Sequence, residues 1–215
     1  MKFPLLLQLC LLAFSAVAQN VNEHIVEPVG VYKEIDTKKE TRIGRLFADS
    51  VYKNKADLIK MIEETPNTVS PPALYFLSAA LFNEGKKDDG AFWYYVAQLR
   101  ARYDFNRCTD KTANAGEYNR IFGEAINPYA LKEMSVDKLE QMVKKVVEFV
   151  RTNEEQYDQR WINLSGMDAM TASLGNDPQK PLSIEKSKWP EIKAKTIDNY
   201  YRDFNEYVLS KKKKQ

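Results

Sequence analysis

Along most of this chain apolar residues recur at steps of three and four, the spacing that gathers them on one face of an α-helix. Ile43, Leu46, Phe47 and Val51 open the pattern. Leu58, Ile59 and Ile62 continue it after a polar break at Asn54-Lys55, and Pro66 ends it. The next stretch is the most sharply punctuated. Ser70 stands where a helix N-cap would, and Pro71 follows at the first helical position, where its missing N–H costs nothing. Leu74, Leu77, Ala80 and Leu81 form an apolar face, and Gly85 suits a left-handed C-terminal cap. Asp88 or Asp89 can start another helix, whose core face is Phe92, Tyr95, Val96, Leu99 and Tyr103. Two helices joined by so few residues must lie antiparallel, so the pattern predicts an αα-hairpin.

Further on, Tyr118 to Ala125 reads as a short helix stopped before Pro128. Ser135 caps the longest predicted helix, with Asp137 favourably placed in its first turn. Its stripe runs through Leu139, Met142, Val143, Val146, Phe149 and Val150 to Tyr157 and Trp161. Residues 166–188 carry turn chemistry, with Asn176-Asp177-Pro178 and Pro181, and a segment that long without structure is uncommon unless it has a job. A last helix starts near Pro190 and buries Ile197, Tyr200 or Tyr201, Phe204 and Val208. The expected fold is all-α, an irregular helical bundle built around one hairpin. Residues 41–210 form the single helical domain, preceded at 19–40 by an irregular arm with room for one short strand. Residues 211–215 form a disordered, solvated lysine tail.

Residues 1–18 carry a targeting pattern. Lys2 supplies a positive start, Leu5 to Phe14 an apolar core, and Ala16-Val17-Ala18 a small-x-small cleavage site before Gln19. The apolar core is shorter than the roughly 20 residues a membrane-spanning helix needs, and no second such run follows. The expectation is a protein without a transmembrane segment, exported and working outside the cytoplasm. Cys10 leaves with the signal, so Cys108 has no partner for an intramolecular disulfide. That favours a bacterial periplasm over eukaryotic secretion, where the Asn163-Leu164-Ser165 sequon would matter. With 32 Lys and Arg against 30 Asp and Glu, no basic face large enough for nucleic acid is implied.

The predicted hairpin has a local grammar: Ala73-Leu74-Tyr75, Leu77, Leu81-Phe82, Gly85, Ala91, Trp93-Tyr94 and Ala97. It resembles the tetratricopeptide class of helical repeats, above all the Sel-one-like variety, over about residues 71–103. There small residues let two helices approach and aromatics fill the groove toward the next hairpin. No second copy follows at the family's period, so the rest of the chain must cap the hairpin in a non-repeating way. What the resemblance implies is binding of proteins or peptides.

Candidate chemistry is sparse. No phosphate-binding loop, dinucleotide fingerprint, nucleophile elbow or CxxC pair is present, and no cofactor or metal is implied. His24 is the chain's one histidine, in the N-terminal arm, which speaks against a histidine triad or a multi-histidine zinc site. Cys108 adjoins Arg107, a cation that would lower its pKa, leaving a catalytic thiol, an intermolecular disulfide and an inert thiol all open. Glu154 and Asp158, one helical turn apart beside Tyr157 and Trp161, are the alternative catalytic pair, for an envelope glycan hydrolase. Trp93, Tyr94, Arg100 and Arg102 are the residue types that binding hot spots prefer, flanking the core face of their helix. Met167 and Met170 add soft apolar side chains in the 166–188 segment, which either docks a partner or folds back on the bundle. The leading expectation is a non-enzymatic, exported protein-binding module, an immunity protein neutralising a secreted toxin or an envelope adaptor. Behind it stand the glycan hydrolase and a small-ligand-binding helical protein.

Overall fold

The computed structural model describes residues 28–175 and 180–212. The targeting segment, His24 and the end of the lysine tail lie outside the described residues. Among those described, the fold is all-α. A 3-10 turn, Gly30–Glu34, leads into α1 (Lys38–Ala48), α2 (Lys55–Glu64), α3 (Pro71–Asn83) and α4 (Lys87–Arg107). Then come α5 (Gly116–Pro128), α6 (Val136–Thr152), a 3-10 helix (Gln159–Ser165), α7 (Met167–Ser173) and α8 (Trp189–Lys212). The arm at 19–40 is thus partly helical, with its 3-10 turn and the start of α1.

The chain is organised around α4. Trp93, Tyr94, Tyr95, Val96, Ala97, Leu99, Ala101 and Tyr103 are all buried, so beyond its exposed first turn this helix takes neighbours on most of its sides, with Arg102 left toward solvent. Helices α3, α5, α6 and α8 pack directly on it. The α3–α4 turn is made as its sequence suggests, with Gly85 at φ +82°, a conformation that a Cβ would strain. Helix α3 begins at Pro71, but the Ser70 hydroxyl makes no capping bond; instead the Ser70 N–H donates to the buried Glu40 carboxylate at 3.1 Å. Ser135 does cap α6, accepting from the Lys138 N–H at 3.2 Å.

Three expectations need correction. The longest predicted helix does not reach Trp161, because α6 stops at Thr152. Asn153 ends it: its side-chain amide donates to the Phe149 carbonyl at 2.9 Å, and its Oδ1 accepts from Asn67 at 3.2 Å. The Gln156 N–H then pairs with the Asn67 carbonyl at 2.8 Å, fixing an irregular turn. Residues 166–188 are not featureless, since they contain α7. Helix α5 runs through Pro128 into a wider π-type turn, Tyr129–Glu133, rather than stopping short of it. The widening follows Pro128, with the Met134 N–H bonded to the Tyr129 carbonyl at 3.2 Å, whereas the missing N–H and the ring of the proline bear on the turn before it. At the chain's end Lys211 and Lys212 belong to α8.

Candidate functional site

The central helix turns inward the very residues whose chemistry suggests a binding surface. Trp93 is 7% exposed, Tyr94 1% and Arg100 0%. Trp93 packs edge-to-face against Phe92 and Phe149, and the Tyr94 hydroxyl donates to the Asn119 carbonyl at 3.1 Å. Arg100 donates to the Pro66 carbonyl at 2.8 Å and to Asn67 Oδ1 at 2.6 Å, lies over the Phe149 ring, and faces the buried Glu155 carboxylate at 4.0 Å. Glu155 also takes Lys193 at 3.1 Å, tying α8 to the turn after α6. These side chains hold the bundle together and are corrected from surface candidates to core. Arg102 does reach solvent, over the Tyr200 ring and 3.6 Å from Asp203.

The carboxylate pair fares no better. With the helix ended at Thr152, Glu154 is exposed in the following turn and Asp158 caps the next 3-10 helix. Asp158 is gripped by Arg160 through Nε at 2.9 Å and Nη2 at 2.8 Å. Burial pushes its carboxyl up, but the Arg160 side chain and N–H outweigh this and hold it below the ordinary carboxylate range. A general acid needs the opposite shift. Cys108 is buried, its thiol donating to Asn163 Oδ1 at 3.0 Å, and burial pushes it up to about 11. Arg107 does not activate it, because the guanidinium turns away to Asp104 at 2.5 Å and lies over the Tyr103 and Trp189 rings. The thiol therefore cannot reach a second chain, and the Asn163 sequon is buried beside it.

Three of the seven large apolar side chains exposed among the described residues lie on α7 or at its C-cap. Met167 is 51% exposed, Met170 49% and Leu174 76%. Steps of three and four put these three on one side. The other side is made of alanines: Ala172 is buried against Tyr32 and Ile35, and Ala169, Val29, Leu164 and Leu182 pack around them. Small residues beneath and large flexible ones above make a short helix that presents rather than buries its bulk.

A clamp holds α7 in place from the loop after α4. Asp110 Oδ1 accepts from the Thr112 N–H at 2.8 Å and its hydroxyl at 2.6 Å, while Oδ2 accepts from the Asp168 N–H at 3.0 Å. The Met167 N–H donates to Thr112 Oγ1 at 2.8 Å. Two free N–H groups in the first turn of α7 are thus capped from more than fifty residues away. Gly166 makes the approach possible, since a Cβ there would lie 2.0 Å from Asp110 Oδ2. Lys180 closes the rim on Asp168 at 2.5 Å. Burial pushes the Asp110 carboxyl up, but the bonds from Thr112 and Asp168 and the charge of Lys180 prevail and hold it low.

Beside α7 opens a cleft of about 780 Å³, lined by Val31, Glu34, residues 158–160, residues 180–186 and Trp189. No cluster of three His, Cys, Asp or Glu side chains able to hold a metal ion occurs among the described residues. No helix among them is long and apolar enough to cross a membrane.

Set against known proteins, the chain finds little company. No family model matches it, and no solved structure matches it. An uncharacterized protein of Haemophilus influenzae is 26% identical over 107 residues, covering 48% of this chain and 39% of the relative's own length. The match therefore spans well under half of that relative, and the similarity identifies no family for this chain.

Proposed function

We propose that this protein is an exported, non-enzymatic module that binds another protein, with the outer face of α7 as its contact. The observation that carries this reading is the Met167–Met170–Leu174 face: large, soft side chains held at a fixed place by the Asp110 clamp. A rigid mount lowers the ordering cost of binding, and methionine adapts its shape to the partner. The hairpin's resemblance to tetratricopeptide repeats agrees with a protein-binding role, and the pattern of residues 1–18 agrees with export. An immunity protein that occludes a secreted toxin and an adaptor of an envelope complex both use such a surface. Among the candidate acids, the Asp158–Arg160 pair speaks against the hydrolase alternative.

The test is affinity capture of the tagged exported chain from its host's envelope and secreted fractions, run beside a Met167→Asp, Met170→Asp variant. A single dominant protein in stoichiometric amount, lost in the variant, supports the reading, and its identity separates toxin from envelope complex. Capture that survives the double substitution removes α7 as the contact.

A further inference from the structure

The cleft beside α7 has a polar feature that an apolar groove lacks, the open edge of a short strand-like segment. Cys108 and Ser183 form an isolated antiparallel bridge. Its two hydrogen bonds come from the flanking residues, Thr109 N–H to the Leu182 carbonyl at 3.2 Å and Ile184 N–H to the Arg107 carbonyl at 2.8 Å. Cys108 and Ser183 are therefore a non-hydrogen-bonded pair, in which the N–H and C=O of each residue point away from the other strand. For Ser183 that is the outer edge, and among the described residues neither group has a hydrogen-bond partner. Residues 180–186, Ser183 among them, line the cleft, whereas residues 107–109 on the paired side do not.

We propose that the cleft takes an extended peptide segment of the partner protein, added as a strand on Ser183. The peptide residue opposite Ser183 exchanges both N–H···O bonds with it, the main-chain recognition used in strand addition. The Trp189 indole N–H is already given to the Ile184 carbonyl at 2.8 Å, and the Arg107 guanidinium and the Lys186 ammonium lie over its ring, so this wall is aromatic with cations beside it. Asp158 is paired with Arg160 and Lys180 with Asp168, while Glu185 and Lys186 at the rim have no ion pair among the described residues, so recognition rests on the peptide's main chain rather than on the charge of its side chains. The proposal rests on the protein-binding reading and gives that partner a chemistry.

Random peptides of about twelve residues displayed on phage are panned on the exported chain, and a selected peptide is measured by fluorescence anisotropy. Ser183→Pro removes the outward N–H while leaving the inner pairing intact, as proline does on an edge strand. It weakens the peptide about tenfold, the value of one lost hydrogen bond. Val31→Trp narrows the cleft from outside the strand and also weakens binding, whereas Val51→Asp, at an exposed site outside both the cleft and α7, leaves it unchanged. Thermal unfolding of each variant confirms that it folds, and the Ser183 amide exchanges more slowly with solvent when peptide is present. A peptide indifferent to Ser183→Pro and Val31→Trp overturns the proposal, as does failure to select any. So does a dimer in sedimentation that Ser183→Pro dissociates, which would mean a second copy closes the edge. If these fail while the double α7 variant still loses its cellular partner, the binding reading stands and the strand-addition proposal alone falls.

Discussion

Helix α4 and helix α7 carry similar advertisements in opposite places. Trp93, Tyr94 and Arg100 on α4 are the kinds of side chain that dominate interfaces, and the structure encloses all three. Met167 and Met170 on α7 and Leu174 at its C-cap lie in a stretch of turn chemistry, and the structure holds them out into solvent. The difference lies in what surrounds each helix. The central α4 is covered on most sides, so Trp93, Tyr94 and Arg100 find their partners inside the molecule. The seven-residue α7 rests on two alanines at the edge, and among the described residues none buries its far face. Residue type names what a side chain can do, and position in the packing decides to whom it does it.

The sharpest way to break this contrast is on α4. Arg100→Ala leaves Glu155 buried with less compensating charge and should cost about 3–5 kcal/mol. Trp93→Ala should cost a similar amount through the lost packing with Phe149. Urea unfolding measures both, and a loss below about 0.5 kcal/mol, the range of plain surface sites, would return either residue to the surface. Next in size is Gly166→Ala, which drives Asp110 away from the first turn of α7 and should cost about 1–3 kcal/mol. Amide exchange should report that loss at Met167 and Asp168 more strongly than in α3 or α4.

Acidification acts on the same clamp. Asp110 is held below its unfolded value, so its contribution is complete above the ordinary carboxylate pKa near about 4 and is lost as pH falls through the lower folded value. Protection at the Asp168 amide, the exchange rate relative to the intrinsic rate at each pH, should fall over that acid window and stay flat from there up to neutrality. A loss of protection on going from mild acid to neutral pH would reverse the sign and refute the clamp. The smallest effect on stability should come from Met170→Ser, within about 0.5 kcal/mol in unfolding, yet partner binding should weaken by more than about 1 kcal/mol.

Much of the helical frame is legible from local chemistry. Pro71, Gly85 and Ser135 mark their helix ends because the groups that matter lie within a few residues, and the hydrophobic steps through Leu139–Val150 describe a face that exists. What escapes is made by distant partners. Asn153 ends α6 with help from Asn67, so the spacing that continues to Tyr157 and Trp161 is misleading. Arg100 sits beside Arg102 in sequence, but only the contacts from Pro66, Asn67 and Glu155 bury it. The Asp110–Asp168 clamp and the Ser183 edge join residues far apart in the chain, and no local pattern announces either. Met167 and Met170 can be singled out as adaptable side chains, but their exposure depends on Ala169 and Ala172 facing inward.

The central claim is that α7, and not the aromatic helix, meets the partner. A photo-crosslinking side chain placed at position 170, at 102 on α4, or at 61 on α2 and activated in the living host tests it most directly. Position 170 should yield one dominant protein adduct, with little from 102 or 61. A dominant adduct from position 102, or equal adducts from all three, would contradict the account.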